Sequence, residues 1–457
     1  MKRGAAARWS RPALRRAASR ILEAALEAAE PGRLVQAHLR VAGDRLIVAG
    51  SAQRKVRGRL VLLAVGKAAV AMARAAEERL GARLSDGLVV TTETSGRGPS
   101  RSRVLLAGHP VPDERGLAAA REVETLVDGL GRDDALLVLL SGGASALLPA
   151  PSTGLSLEDK ALTTSLLLRA GATIQELNTV RKHLSRLKGG GLARRAAPAR
   201  VFTLALSDVV GDDLSTIGSG PTVPDPTTFA DALAVLEARR VLAQTPLPVR
   251  RHLRAGARGQ RPETPRAGDA ALRRTTTHVI GGNRQSVVAA AREASRLGLR
   301  PVVLTTRLEG EAREVARCLV AILRERAEPG TRRRWPACLL AGGETTVTVT
   351  GDGQGGRNQE FAVAAAQALD GFPVPAVVAS FATDGIDGRS DAAGGVADDQ
   401  SVRRARELGL PAPASFLARS DSRNFLGPLG DLILTGPTGT NVVDIVVLLA
   451  GGGLARL

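Results

Sequence analysis

The feature that most constrains this chain is a recurring pattern of short apolar runs that stop on glycine. "LVLLAVG" (residues 60–66), "ALLVLLSGG" (135–143), "ACLLAGG" (337–343) and "AVVASFATDG" (376–385) are each four to seven apolar residues followed by a glycine-bearing turn. Between such runs lie amphipathic stretches such as "KAAVAMARAAEERL" (67–80) and "GLAAAREVETLVDGL" (116–130). Continuous apolar strands alternating with helices predict a parallel sheet covered on both faces, an α/β fold with a Rossmann-like N-terminal domain. "VFTLALS" (201–207) and "DGLVVTT" (86–92) extend the series, and "THVIGG" (277–282) begins a second run of the same kind. "TTVTVT" (345–350) alternates with period two, which predicts an edge or antiparallel strand and so a mixed sheet in a second α/β domain. The expected division is residues 12–248, a linker at 249–274 rich in Arg, Pro and Gly, and a C-terminal domain at 275–451.

The 457 residues carry a formal net charge of +18. Seven basic residues and no acid in positions 1–20, and ten arginines against Glu263 and Asp269 in 239–274, account for fifteen of those charges. The excess thus belongs to a tail and the expected linker, not to one folded face. With aromatics at 2% and no tyrosine, nucleic acid is not the expected partner. The leader "MKRGAAARWSRPALRR" has the composition of a transit peptide, but arginine is abundant throughout, so a basic tail is the preferred reading. No run of eighteen apolar residues points to a membrane. Cys318 and Cys338 have no metal-type or redox-type neighbours, which fits reduced thiols and a cytoplasmic location.

In open α/β sheets ligands collect at the carboxyl ends of strands, and here these ends carry chemistry. Gly66-Lys67 follows one, Ser141-Gly142-Gly143 with Ser145 another, and Ser207-Asp208 a third, with Asp213 close behind. Gly342-Gly343-Glu344 and the loop from Asp384 to Asp387 follow two more. Glycine loops let an anion approach the backbone, and the acidic loops suit Mg²⁺, which takes one or two carboxylates and keeps water. There is no GxxxxGK[ST]. "GDGQGG" (351–356) matches GxGxxG, but its preceding segment is polar and alternating and no acid follows at the expected distance. Arg357 and Asn358 come next, an arginine able to grip a phosphate and the start of a helix. In "NTVRKHLSRLKGGG" (178–191), Leu177, Val180, Leu184 and Leu187 form an apolar stripe. Arg181 and Lys188 share a face that can point at anions, and Gly189 is the expected C-cap.

These blocks resemble the glycerate 2-kinases that pair a Rossmann-like N-terminal domain with a C-terminal MOFRL domain. The resemblance rests on "VGKAAVAMA", "GHPVPDERG", "SGGASALLPAP", "LNTVRKHLSRLKGGGLA", "SDVVGDDLSTIGSGPTVPDPTTF", "GGETTVTV", "GGRNQEFAVA", "ATDGIDGRSDAAGGVAD" and "TGPTGTNVVDIVVLL". It implies transfer of the ATP γ-phosphoryl group to the 2-hydroxyl of glycerate, giving 2-phosphoglycerate and ADP, with Mg²⁺ or Mn²⁺, in a cleft between two domains. It also implies roles. Lys67 and Arg357 would hold phosphoryl or carboxylate oxygens, and Asp208 would bind the metal or take the hydroxyl proton. Asp213 would be a further metal contact, and Asp384 and Asp387 would be secondary metal or ribose contacts. Ser141, Gly142, Gly143, Ser145, Arg181, Gly342, Gly343, Glu344 and Asn358 would line the substrates. "ARSDSRNF" departs from the family pattern, with Ser420 and Arg423 where Asn-Asp-Ser-Tyr is usual. The alternative activity is a hydroxypyruvate reductase using NAD(P)H, against which the missing dinucleotide fingerprint counts. Whether the chain acts alone or as a homodimer is left open by the sequence.

Overall fold

A computed structural model describes residues 9–50, 54–92, 98–327 and 336–451, so the first eight residues of the basic leader lie outside the described residues. The chain divides into two compact units, Pro31–Ile280 and Met1–Glu30 with Gly281–Leu457.

The first unit opens with a small antiparallel sheet, β1 (Leu39–Ala42), β2 (Arg45–Val48) and β3 (Arg54–Lys55). Its main sheet holds β4 (Leu60–Val65), β5 (Leu84–Thr91), β6 (Arg103–Leu106), β7 (Ala135–Leu140), β8 (Arg200–Leu206) and β9 (Thr275–Gly281), in the order β6-β5-β4-β7-β8-β9. Pairing is parallel from β6 through β8. Every residue of β4 and β7 is buried, which is why their sequences are unbroken Val, Leu and Ala. Helix Glu114–Asp128 covers this sheet with Ala119, Ala120, Val123 and Val127, and starts where the Asp113 carboxylate accepts the Gly116 amide. In chain order the strands run 3-2-1-4-5-6, and the direction of winding reverses between β4 and β7.

Residues 249–274 are not a bare linker. Helix Leu247–Ala257 buries Val249, His252, Leu253 and Gly256, a helical spacing among arginines, and joins a core with Leu167, Val180, Phe229 and Leu236. Pro265 O then accepts the Asp225 amide and Glu263 O accepts from Arg194. The boundary between units falls at Ile280; the second domain was expected to start at 275. Helix Ile174–His183, capped by the reciprocal Thr173–Glu176 pair, ends before Lys188. Gly189 and Gly190, with φ of 53° and 79°, therefore form the turn into helix Gly191–Ala196 and do not cap the preceding helix.

The second unit holds β10 (Arg300–Leu308), β11 (Ala337–Gly343), β12 (Ala376–Ala382), β13 (Gly394–Asp398), β14 (Leu432–Ile433) and β15 (Asp444–Ala450), ordered β10-β11-β15-β12-β13-β14. β10 and β11 are parallel and the remaining pairs antiparallel, so the sheet is mixed as expected. The expected strand at 345–350 is not one of its members. Thr346 makes a single bridge to Glu311, the Thr348 amide bonds the Glu311 carboxylate, and Val349 is exposed. No neighbouring strand pairs with that segment, and β-propensity alone does not make a strand.

Helix Arg11–Glu27 also belongs to this unit. Leu14, Ala17, Ala18, Ile21, Leu22 and Ala25 bury one face against helix Asn283–Arg296, β12 and β15. Burial of each large aliphatic side chain contributes roughly 1.5–3 kcal/mol. Arg11 forks onto Asp399, and Arg15 bonds Asp398 and Asp431. The basic segment expected as a tail, and as the start of the N-terminal domain, is a docked helix of the other unit. Among the described residues no helix is long and apolar enough to cross a membrane.

Candidate active site

At the reversal point of the first sheet two loops lock together. The Ser141 amide bonds Val65 O at 3.0 Å, the Lys67 amide bonds Gly142 O at 2.8 Å, and the Ala68 amide bonds Ser141 Oγ at 3.0 Å. Gly66 has φ 131°, and a Cβ there would collide with Ser141 Oγ and O. Its glycine is thus required by loop against loop. Gly143, with φ 87°, has a different neighbour. A Cβ at Gly143 would lie 3.0 Å from His109 Cδ2 and 3.5 Å from Lys67 Cγ. The His109 ring and the Lys67 stem therefore meet over a bare patch of backbone. Burial, and then the charge of Lys67, hold the His109 imidazole below its ordinary pKa, so it is neutral at pH 7.

The next layer is polar and basic. Ser145 Oγ lies 2.8 Å from Ser219 Oγ, which donates to Asn178 Oδ1 at 3.0 Å. Lys188 donates to Ser145 O at 2.7 Å and to Ser145 Oγ at 2.9 Å, and Lys160 donates to Pro149 O. Arg181, half-buried on helix Ile174–His183, faces the same two lysines closely enough to lower the pKa of both. Burial is the larger cause of those shifts, and it lowers Arg181 as well. The sequence pointed to Arg181 and Lys188 through a shared helical face. The helix stops at His183, and it is the turn after it that returns Lys188 to the cluster. Lys160 carried no signal, because "SLEDKALTT" reads as a capped surface helix.

The acids expected to bind metal have separate fates. Asp208 is half-buried at the end of β8. The Asp213 carboxylate accepts from the Ser215 amide, Ser215 Oγ and Thr216 Oγ1, a local turn. Asp384 accepts the Ile386 amide at 3.2 Å. Asp387, 1% exposed, accepts from the amides of Asn358 and Gln359 and from both of their side chains. It is the N-terminal cap of helix Arg357–Leu369, and four donors leave it little capacity as a metal ligand. Among the described residues no three His, Cys, Asp or Glu side chains gather as a metal site.

The other candidates of the second unit also serve its packing. Asn358 is buried and accepts from Ser380 Oγ at 2.5 Å. A Cβ on Gly342 would strike Asn283, and one on Gly343 would strike the Leu308 backbone. Arg357 places Nε and Nη2 on Asp444 at 2.6 and 2.9 Å, and Nη1 lies 3.2 Å from Glu344 Oε1. Asp444 and Glu344 outweigh the burial of Arg357 and raise its pKa. Burial pushes the Asp444 carboxyl up to about 6 even beside that guanidinium. Arg423, at the position that departs from the family pattern, forks onto Asp391.

Two family models match the chain. Residues 17–254 match a domain of unknown function, DUF4147, and residues 337–444 match the MOFRL family. A glycerate 2-kinase of Pyrococcus horikoshii is 42% identical over 431 residues, 94% of this chain and 96% of that protein. The crystal structure of a glycerate kinase from Thermotoga maritima superimposes with a TM-score of 0.84 at 40% identity, covering 96% of this chain and all of that one. A protein of Agrobacterium vitis named "Putative hydroxypyruvate reductase" is 40% identical, covering 97% of this chain and 96% of its own length.

Proposed function

We propose a working mechanism from the premise that the chain belongs to the glycerate 2-kinase family, with a DUF4147 domain and a MOFRL domain. The chain is a glycerate 2-kinase: it transfers the γ-phosphoryl group of ATP to the 2-hydroxyl of glycerate, giving 2-phosphoglycerate and ADP. Phosphoryl transfer asks a protein mainly for positioning and charge neutralisation. The observation that carries the reading is the meeting of Lys67, the neutral His109 and the uncovered backbone of Gly143 at the reversal point between β4 and β7. Lys67 neutralises the oxygens of the transferring group, and Asp208 accepts the proton of the attacking hydroxyl or holds the divalent ion. A divalent ion bound with the ATP phosphates would be held by Asp208 and would supply further positive charge there. A single half-buried carboxylate suits a cation that keeps phosphate and water ligands.

Arg357 takes a narrower part than the sequence suggests. Asp444 engages two of its nitrogens, so Nη1 alone is open to exchange, its partner Glu344 being 45% exposed. The other reading, a reductase, requires a dinucleotide fingerprint after β4, where the chain reads "VGKAAVAMA".

Phosphorus NMR of the product formed from ATP and glycerate tests the reaction. A 2-phosphoglycerate signal is expected; 3-phosphoglycerate, or NADH oxidation by hydroxypyruvate without ATP, would overturn it. Excess EDTA should abolish turnover. Lys67→Met should lower kcat by about 10²–10³-fold with melting unchanged, the usual cost of deleting one group that stabilises transition-state charge.

A further inference from the structure

Two cations in this part of the first unit are matched by acids. Lys182, 3% exposed, lies 3.3 Å from Asp225, and Arg186 forks onto Glu124 at 2.7 and 2.9 Å. Three cations beside them break this pattern. Lys160 and Lys188 are 7% and 3% exposed, and their ammonium groups bond only the neutral oxygens of Pro149 and Ser145. Arg181 makes no hydrogen bond or ion pair among the described residues. Among the described residues no carboxylate pairs with any of the three. Withdrawing like charges from water together is unfavourable unless an opposite charge joins them.

We propose that Lys160, Arg181 and Lys188 form the binding site for the carboxylate of glycerate. This rests on the kinase reading and identifies which end of which substrate the cluster receives. Lys188 ties the cluster to Ser145, on the loop whose Gly143 faces Lys67, so the carboxylate is held beside the phosphoryl-transfer site. A planar carboxylate matches the unpaired guanidinium fork of Arg181. A compact monoanion also suits groups largely removed from water. The triphosphate arrives with its metal and is already partly neutralised. An anion among the lysines favours their charged forms, so glycerate binding takes up protons and weakens as pH rises through the lowered lysine pKa values.

The test uses the full chain, Arg181→Gln and Lys188→Met, with glycerate and its uncharged amide, glyceramide, as acceptors. We expect kcat/KM for glycerate to fall about 10²-fold, as for loss of one partner of a buried charge pair. The KM for ATP should stay within about twofold, and the preference for glycerate over glyceramide should collapse. A raised KM for ATP with that preference intact would assign the cluster to the nucleotide and overturn the proposal. Unchanged kinetics would make it structural and overturn it equally. If these variants fail to fold, Arg181→Lys keeps the charge without the fork and should still lose discrimination. Calorimetry of glycerate binding to the wild-type chain and both variants, in two buffers of different ionisation enthalpy between pH 7 and 9, reads the site without turnover. Glycerate binding that Arg181→Gln and Lys188→Met abolish supports the proposal, and binding that both leave intact overturns it. If the phosphorus NMR product is absent while glycerate binds and both variants abolish that binding, the kinase reading fails and the carboxylate site stands.

Discussion

Two regions of the molecule treat buried charge in opposite ways. In the unit of residues 281–451 with its docked N-terminal helix, arginine meets acid repeatedly. Arg357 has Asp444 and Glu344, Arg313 has Glu360, and Arg15 and Arg404 share Asp398 and Asp431. At the carboxyl end of β7 in the other unit, Lys160, Arg181 and Lys188 have, among the described residues, only neutral oxygens or no partner. A compensated pair is a structural joint, which opposes removal of either half. An uncompensated cluster is strained when empty and is completed by a ligand.

Substitutions should separate the two kinds of site by sign as well as size. The largest effect is expected for Asp444→Asn, which leaves Arg357 with the half-exposed Glu344 alone. Urea denaturation should show a loss of about 3–5 kcal/mol, the usual consequence of breaking a buried pair from one side. Arg404→Met should cost less, about 3 kcal/mol, because Arg15 still reaches both Asp398 and Asp431. Lys188→Met should move the other way. It removes a buried charge with no acid to orphan, so the ligand-free chain should hold its stability or gain about 1 kcal/mol while losing glycerate. A large loss of stability in Lys188→Met would erase the contrast.

The smallest effects are in the pH dependence. Lys160 and Lys188 have pKa values below the ordinary 10.5 in the folded chain. Between the lowered values and 10.5 the unfolded chain binds more protons, so stability rises with pH across that range. Lys188→Met should flatten this alkaline rise. Asp444, raised from 3.8 to about 6, works at the acid side. Its folded form holds the proton longer, so its contribution is full below about pH 4 and is lost as pH rises through 6. The gap between the melting curves of wild type and Asp444→Asn should be widest near pH 4 and narrow towards pH 7, and that change gives the contribution of this one carboxyl.

Much of the fold was legible before any coordinates. β4, β7, β8, β11 and β12 are buried on both faces, and in β4, β7 and β11 that burial writes itself as unbroken apolar runs closed by glycine. Helix Leu247–Ala257 was hidden because its four buried positions are spaced among arginines, whose composition resembles a linker. β15 ends in the motif "NVVDIVVLLA", but its place at the centre of the second sheet depends on pairing with β11 and β12, far away in sequence.

The sequence by itself determined the alternation of elements, the glycines where loop meets loop, and which residue types stand at the strand ends. Those are local properties: spacing, propensity and backbone freedom are carried by neighbouring residues. What an ionisable side chain does depends on partners that arrive from elsewhere in the chain, and only the tertiary structure decided that. Asp387 looked like a metal ligand and is a helix cap, because helix Arg357–Leu369 begins against it. Lys160, which no pattern in the sequence singles out, is a buried cation because its helix sets it against Pro149. The charge on a residue is written in its own letter, whereas the burial and the counter-charges that give it a function are contributed by residues tens to hundreds of positions away.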